Sequence, residues 1–212
     1  MKIKSIKKSE KRPDRFVVLF DEGTEIRVSA IQIADFGLYT GLELSDEQYS
    51  ELSQGLIQST SKARALRILG NRSLSAREIE KRLIQKGESE ETAQNTVGWL
   101  EDIGYISDTE YAAAIVKHYS SKGYGLARIK DELYRRGIQR DLWDTALQDL
   151  GGMQEAAQEF LKKKLRGSLD KEDMRRAVDA LCRRGFQYQE AREALNRYLE
   201  EAEEPEEITY DH

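Results

Sequence analysis

The sequence predicts a mostly α fold: a tandem array of three three-helix repeats, preceded by a small N-terminal α+β module with a short antiparallel sheet. Charged residues make up 34% of the 212 and aromatic residues 8%, with only two prolines, a mixture that suits charged-surface helices better than a sandwich of sheets. Runs of β-branched and aromatic residues are confined to the first sixty positions. Beyond them the chain resembles itself: "RLIQKGESEETAQNTV" from Arg82, "ELYRRGIQRDLWDTAL" from Glu132 and "ALCRRGFQYQEAREAL" from Ala180 share one pattern.

The N-terminal module spans residues 1–60. "KIKSIKK" alternates apolar and polar residues, while "RFVVLF" and "EIRVS" are separated by "DEGT", which together predict a three-stranded sheet with a hairpin. Ser29 can cap a brief helix through Phe36, closed by Gly37. Ser45 starts another, with Asp46 and Glu47 in its first turn.

From Lys62 the apolar period becomes that of a helix. Ile79, Leu83 and Gly87 align with Ile129, Leu133 and Gly137, and then with Ala177, Leu181 and Gly185. The match continues where Ala93, Val97 and Leu100 meet Trp143, Leu147 and Leu150, then Ala191, Leu195 and Tyr198. Spacings of four and three keep one face apolar in each copy. A further helix precedes each pair: "KARALRILG", "TEYAAAIVKHYSSKG" and "MQEAAQEFLKKKLRG". The repeats are therefore expected at 61–106, 107–151 and 152–199, leaving 200–212 as an acidic disordered tail. Ser75 with Glu78 forms a capping box, and Asp108 is the expected N-cap of the helix after it. Gly87, Gly137 and Gly185 reverse the chain between helices, where a left-handed residue is cheapest as glycine.

The formal charge of -5 is unevenly spread. Glu200 to His212 holds seven acidic residues and no Lys or Arg, so the chain before it is slightly basic, and Lys62 to Lys86 carries eight basic residues against two acidic ones. With one cysteine, Cys182, no intrachain disulfide can form and no zinc spacing exists, so a reducing cytoplasmic setting is expected. No apolar run reaches the length of a membrane span, and the N-terminus lacks the apolar stretch of a signal peptide. No enzyme, cofactor or metal site is expected. His118 is the one histidine outside the tail, and no nucleophile elbow accompanies it. Gly123 and Gly125 lack the third glycine and preceding strand of a dinucleotide fingerprint.

Cations are the candidate functional groups. Lys86, Arg136 and Arg184 end helices, where a positive charge complements the helix dipole for about 0.3 to 1 kcal/mol. Arg72, Arg77, Lys81 and Arg82 lie at the start and middle of a helical stretch, and Arg175 and Arg176 in a first turn. Early-turn cations oppose the dipole, which points to an external partner. Base reading by a helix-turn-helix is disfavoured, because Glu88, Glu90 and Glu91 would meet phosphates where the first repeat's last helix begins.

"ALRILGNRSLSAREIEKRL", "LEDIGYISDTEYAAAIV" and "GLARIKDELYRRGI", in that order, resemble the RecX family of bacterial regulatory proteins. The resemblance is specific from Lys62 to Leu150, looser in the third repeat and architectural in the sheet module. Ser107 and Asp108 stand where the family usually has two acidic residues before its aromatic-alanine pair, here Tyr111 and Ala112. The resemblance implies a monomeric, non-catalytic protein that binds the filament of the RecA recombinase and inhibits its ATPase, strand-exchange and co-protease activities, with single- or double-stranded DNA as an additional partner. Charge and position nominate Arg72, Arg77, Lys81, Arg82, Arg128, Arg135, Arg136, Arg175, Arg176 and Arg183 as the contact set. The alternative is a nonspecific DNA-binding repeat protein that acts independently of RecA.

Overall fold

The computed structural model describes residues 1–203 apart from 11, 13, 71 and 149, with side chains through residue 201. Three strands, β1 (Ile3–Lys8), β2 (Arg15–Phe20) and β3 (Glu25–Ser29), precede α1 (Ala30–Asp35) and α2 (Asp46–Leu69). Then come α3 (Ala76–Gln85), α4 (Glu90–Asp102), α5 (Asp108–Ser121), α6 (Leu126–Arg135) and α7 (Asp141–Leu147). The last three helices are α8 (Met153–Leu165), α9 (Lys171–Arg183) and α10 (Tyr188–Glu203). The described residues form two compact units: Met1–Arg72 with Ile79–Ile103, and Ser73–Glu78 with the residues from Gly104 onward.

In the first unit the strands pair antiparallel in the order β1-β2-β3, with Val18 opposite both Ile6 and Ile26. Alternation then sends Val18, Phe20 and Val28 to one face, where they are buried with Ile3, Leu38, Leu52 and Leu56. Ser29 and Gln32 form a reciprocal capping box on α1. The Gln32 amide also donates to the Leu56 carbonyl at 3.4 Å, so a buried polar group is satisfied rather than orphaned.

Helix α2 differs from the expected pair of helices split near residue 60. It runs unbroken for 24 residues. Gly55 does not interrupt it, because its missing Cβ admits the Phe36 ring, which would lie 2.7 Å from such an atom. Leu52 and Leu56 belong to the sheet core, while Ala65 and Leu69 are buried further along. The helix packs on α4, and the buried hydroxyls of Thr96 and Ser61 are joined at 2.8 Å.

In the second unit the expected leucines and glycines take their places. Ile129 and Leu133 of α6 are fully buried with Ala112, Ile115 and Val116 of α5. Ala177 and Leu181 of α9 do the same with Leu161 of α8 and Ala191 and Leu195 of α10. Gly137 and Gly185 have φ of 73° and 95°, as does Gly87 of the first unit at 93°, the region where only glycine is unstrained. Helix α10 continues to Glu203, and Glu201 pairs with Lys162 at 2.8 Å. Residues 200–203 of the expected tail are thus helical, and 204–212 lie outside the described residues.

One cap was misassigned by sequence. Ser107, not Asp108, is the N-cap of α5, accepting from the Glu110 amide at 3.2 Å. The Asp108 carboxylate instead accepts from the backbone amide of Ala76 at 2.9 Å, at the start of α3. The same end carries the expected box, with Ser75 and Glu78 bonded both ways at 3.1 Å.

Candidate partner-binding surface

Two joints of one construction hold the second unit in register. In the first, the Ser75 hydroxyl donates to the Arg136 carbonyl at 2.5 Å, and a Cβ on Gly137 would sit 2.5 Å from Arg77 Cδ. In the second, the Gly125 amide donates to the Arg184 carbonyl at 2.9 Å and the Ala127 amide to that of Gly185 at 3.1 Å. Ser75 and Gly125 are equivalent in the repeat alignment, as are Arg136 and Arg184. The start of one second helix therefore docks on the glycine turn that ends the next. Helix α9 has no such need. Asp170 caps it internally, accepting from the amides of Glu172 and Asp173 at 2.8 and 3.2 Å.

The nominated cations divide by what they touch. Arg136 is tied into its repeat: its guanidinium donates to Glu132 at 2.8 Å and to the Tyr111 hydroxyl at 2.9 Å, and stands 3.7 Å from Glu78. Burial acts to raise the Glu132 carboxyl, but the hydrogen bond and charge of Arg136, with the charge of Arg135, outweigh it and hold the group below the usual range. Tyr111 is pushed up by burial first and by the Glu78 charge second. Arg128 pairs with Asp131 at 3.2 Å, Arg135 lies 3.6 Å from Glu132, and Arg176 donates to Glu172 at 2.6 Å. Among the described residues, Arg72, Arg77, Lys81, Arg175 and Arg183 are exposed and Arg82 half-buried, outside any ion pair.

Sequence reasoning gave Arg184 only the role of a helix-end cation. Its guanidinium lies 5.2 Å from the Tyr124 ring centre and 4.7 Å from that of Phe160, and donates to the carbonyls of Lys122 and Gly123 at 3.1 and 3.3 Å. It seals the end of α5 against the third repeat. Glu132 was missed, although it is only 4% exposed. A carboxylate four residues before an arginine on an otherwise apolar stripe was the available signal. No group of three or more potential metal ligands occurs among the described residues, and none of their helices is long and apolar enough to cross a membrane.

Successive three-helix units, preceded in the chain by a sheet module, make this a tandem helical-repeat protein. Residues 107–147 match the second three-helix domain of RecX and residues 62–100 the first. The regulatory protein RecX of Xanthomonas axonopodis pv. citri (strain 306) is 33% identical over 147 residues, 68% of this chain and 91% of that protein. That of Stenotrophomonas maltophilia (strain K279a) is 31% identical over 132 residues, 61% of this chain and 81% of its own. The fold is shared with a crystal structure of regulatory protein RecX, at a TM-score of 0.69 and 22% identity over 92% of this chain and 98% of that one. It is also similar to RecX from Lactobacillus salivarius, at a TM-score of 0.61 and 22% identity over 67% and 96%. The chain belongs to the RecX family of regulatory proteins.

Proposed function

We propose that this chain modulates RecA: it binds along the RecA nucleoprotein filament as a monomer and lowers ATP hydrolysis, strand exchange and co-protease activity. Membership of the RecX family carries the reading. The physical support is a repeat array whose exposed cations recur on the equivalent helices α3, α6 and α9 and can follow an extended partner of mixed or negative charge. Arg72, Lys81 and Arg183 are better candidates for contact than Arg136, which is held inside its repeat.

RecA-dependent ATP hydrolysis on single-stranded DNA tests this. The chain should inhibit it even when DNA is in large excess, and Arg72→Glu, Lys81→Glu and Arg183→Glu together should weaken inhibition about tenfold or more while leaving the fold intact, because like charges cost an interface several kcal/mol. Inhibition that disappears in proportion to added DNA would support nonspecific DNA binding instead.

A further inference from the structure

A groove of about 490 Å³ lies between α9 and α10 in the third repeat. Met174, Val178 and Leu195 form its apolar base, and Lys171, Arg175 and Arg192 supply three cations against one carboxylate, Asp179. Tyr188 at its edge is 63% exposed, with the Arg192 guanidinium 6.0 Å from its ring centre. None of the three cations forms an ion pair among the described residues, whereas neighbouring Arg176 is neutralised by Glu172.

The repeat fold does not demand these charges. The positions of Lys171, Arg175 and Arg192 are held by Gly123, Ala127 and Asp144 in the second repeat and by Ser73, Arg77 and Gln94 in the first. Lys171 and Arg175 lie in the first turns of α9 beside the acidic Asp170, Glu172 and Asp173, yet neither pairs with them among the described residues, where Glu172 and Asp173 are taken by Arg176. A cationic rim over an aliphatic base is complementary to one kind of ligand.

We propose that this groove docks an acidic peptide segment of a partner protein, with an apolar side chain seated on Met174, Val178 and Leu195 and flanking carboxylates on Lys171, Arg175 and Arg192. The volume suits a few side chains. A nucleic-acid strand fits less well: its bases need a run of aromatic faces, and Tyr188 is the one aromatic residue lining the groove. Such a site would bind whether or not the chain acts on RecA.

The test uses the full chain and three fluorescein-labelled peptides: EELEEF, its uncharged counterpart QQLQQF, and EEGEEG, which lacks the apolar anchors. EELEEF should bind at least about tenfold more tightly than either control, since both charge and apolar burial contribute. Arg175→Glu with Arg192→Glu should weaken it by about tenfold or more, and oligo-dT should not displace it. In the wild-type protein, amide shifts on titration should centre on Tyr188–Leu195, a measurement that needs no variant. Equal binding of the three peptides, displacement by oligo-dT, shifts centred elsewhere, or a folded double variant that binds normally would each overturn the assignment.

Discussion

The backbone amide of Gly125 donates to the carbonyl of Arg184 across 2.9 Å, so one repeat's helix begins on the turn that ends another's. Helix α6 has no side-chain cap of its own, and the neighbouring turn supplies what a Ser or Asp would otherwise provide. That turn can approach only because neither side carries a Cβ. A Cβ on Gly125 would collide with the backbone of Gly185 and Phe186, and one on Gly185 with the backbone of Arg128.

Gly125→Ala should therefore destabilise the protein by about 1 to 3 kcal/mol, the usual range for forcing atoms into a packed contact. Its φ of -78° is acceptable to alanine, so the loss comes from the contact and not from backbone strain. Gly98→Ala is the control. Gly98 lies inside α4 with nothing within 4 Å of the added atom, and alanine there should stabilise by about 0.5 to 1 kcal/mol. Denaturant melts giving the same sign for both variants would contradict the joint.

Asp108 and Glu132 should respond oppositely to acid. Burial raises the Asp108 carboxyl above its ordinary 3.8, with Glu78 adding to the rise and the Ala76 amide opposing it. The folded state then holds that proton more tightly than the unfolded chain does, so the penalty of ionised Asp108 is relieved as pH falls through its raised value and is gone below 3.8. Asp108→Asn keeps an oxygen for the Ala76 amide and removes the charge, so thermal stability at pH 7 should hold or rise. Asp108→Ala loses the acceptor and should cost about 1 kcal/mol, as for a lost helix cap. If Asn and Ala melt alike, the contact to Ala76 contributes nothing.

For Glu132 the ionised form is the stabilising one. Its carboxyl is held below the ordinary 4.5, so its contribution is fully present above that pH and is lost as pH falls through the lowered folded value. Glu132→Gln should cost about 1 to 3 kcal/mol at pH 7, the range for breaking a charged hydrogen bond at a buried group. The difference from wild type should shrink below pH 4.5, and a constant difference between pH 3 and 7 would show that Glu132 is not held as an anion.

What the sequence disclosed was local. Leu133 and Leu181 recur at helical spacing, and Gly137 and Gly185 end helices in every copy, so the packing face and the reversals follow from pattern alone. Asp108 was assigned to the nearest helix because capping is read over a few residues, whereas its partner Ala76 is 32 positions away. The continuity of α2 escaped for a related reason: self-comparison marks where similarity starts, not where a helix does, and Gly55 is explained only by Phe36. Among the cations, composition could not separate a guanidinium spent on Glu132 from one left in solvent. The groove beside Tyr188 needed two helices placed side by side before its three positive charges became one feature.

Arg183 and Arg184 are adjacent, chemically identical, and should behave differently. Arg183 is exposed, with no ion pair among the described residues, so Arg183→Ala should change stability by no more than about 0.5 kcal/mol. Arg184 is half-buried, its guanidinium close to both the Tyr124 and Phe160 rings, and its Nη1 donates to two carbonyls at the end of α5. Removing it exposes two rings and leaves those carbonyls without their donor, so Arg184→Ala should cost about 2 to 3 kcal/mol from lost stacking and hydrogen bonds together. Lysine keeps the charge but has no planar fork to meet the two rings and both carbonyls at once, and Arg184→Lys should recover less than half of that loss. Urea melts of the three variants measure this directly, and full rescue by lysine would mean that Arg184 acts as a point charge on a helix end rather than through its guanidinium contacts with the rings and carbonyls.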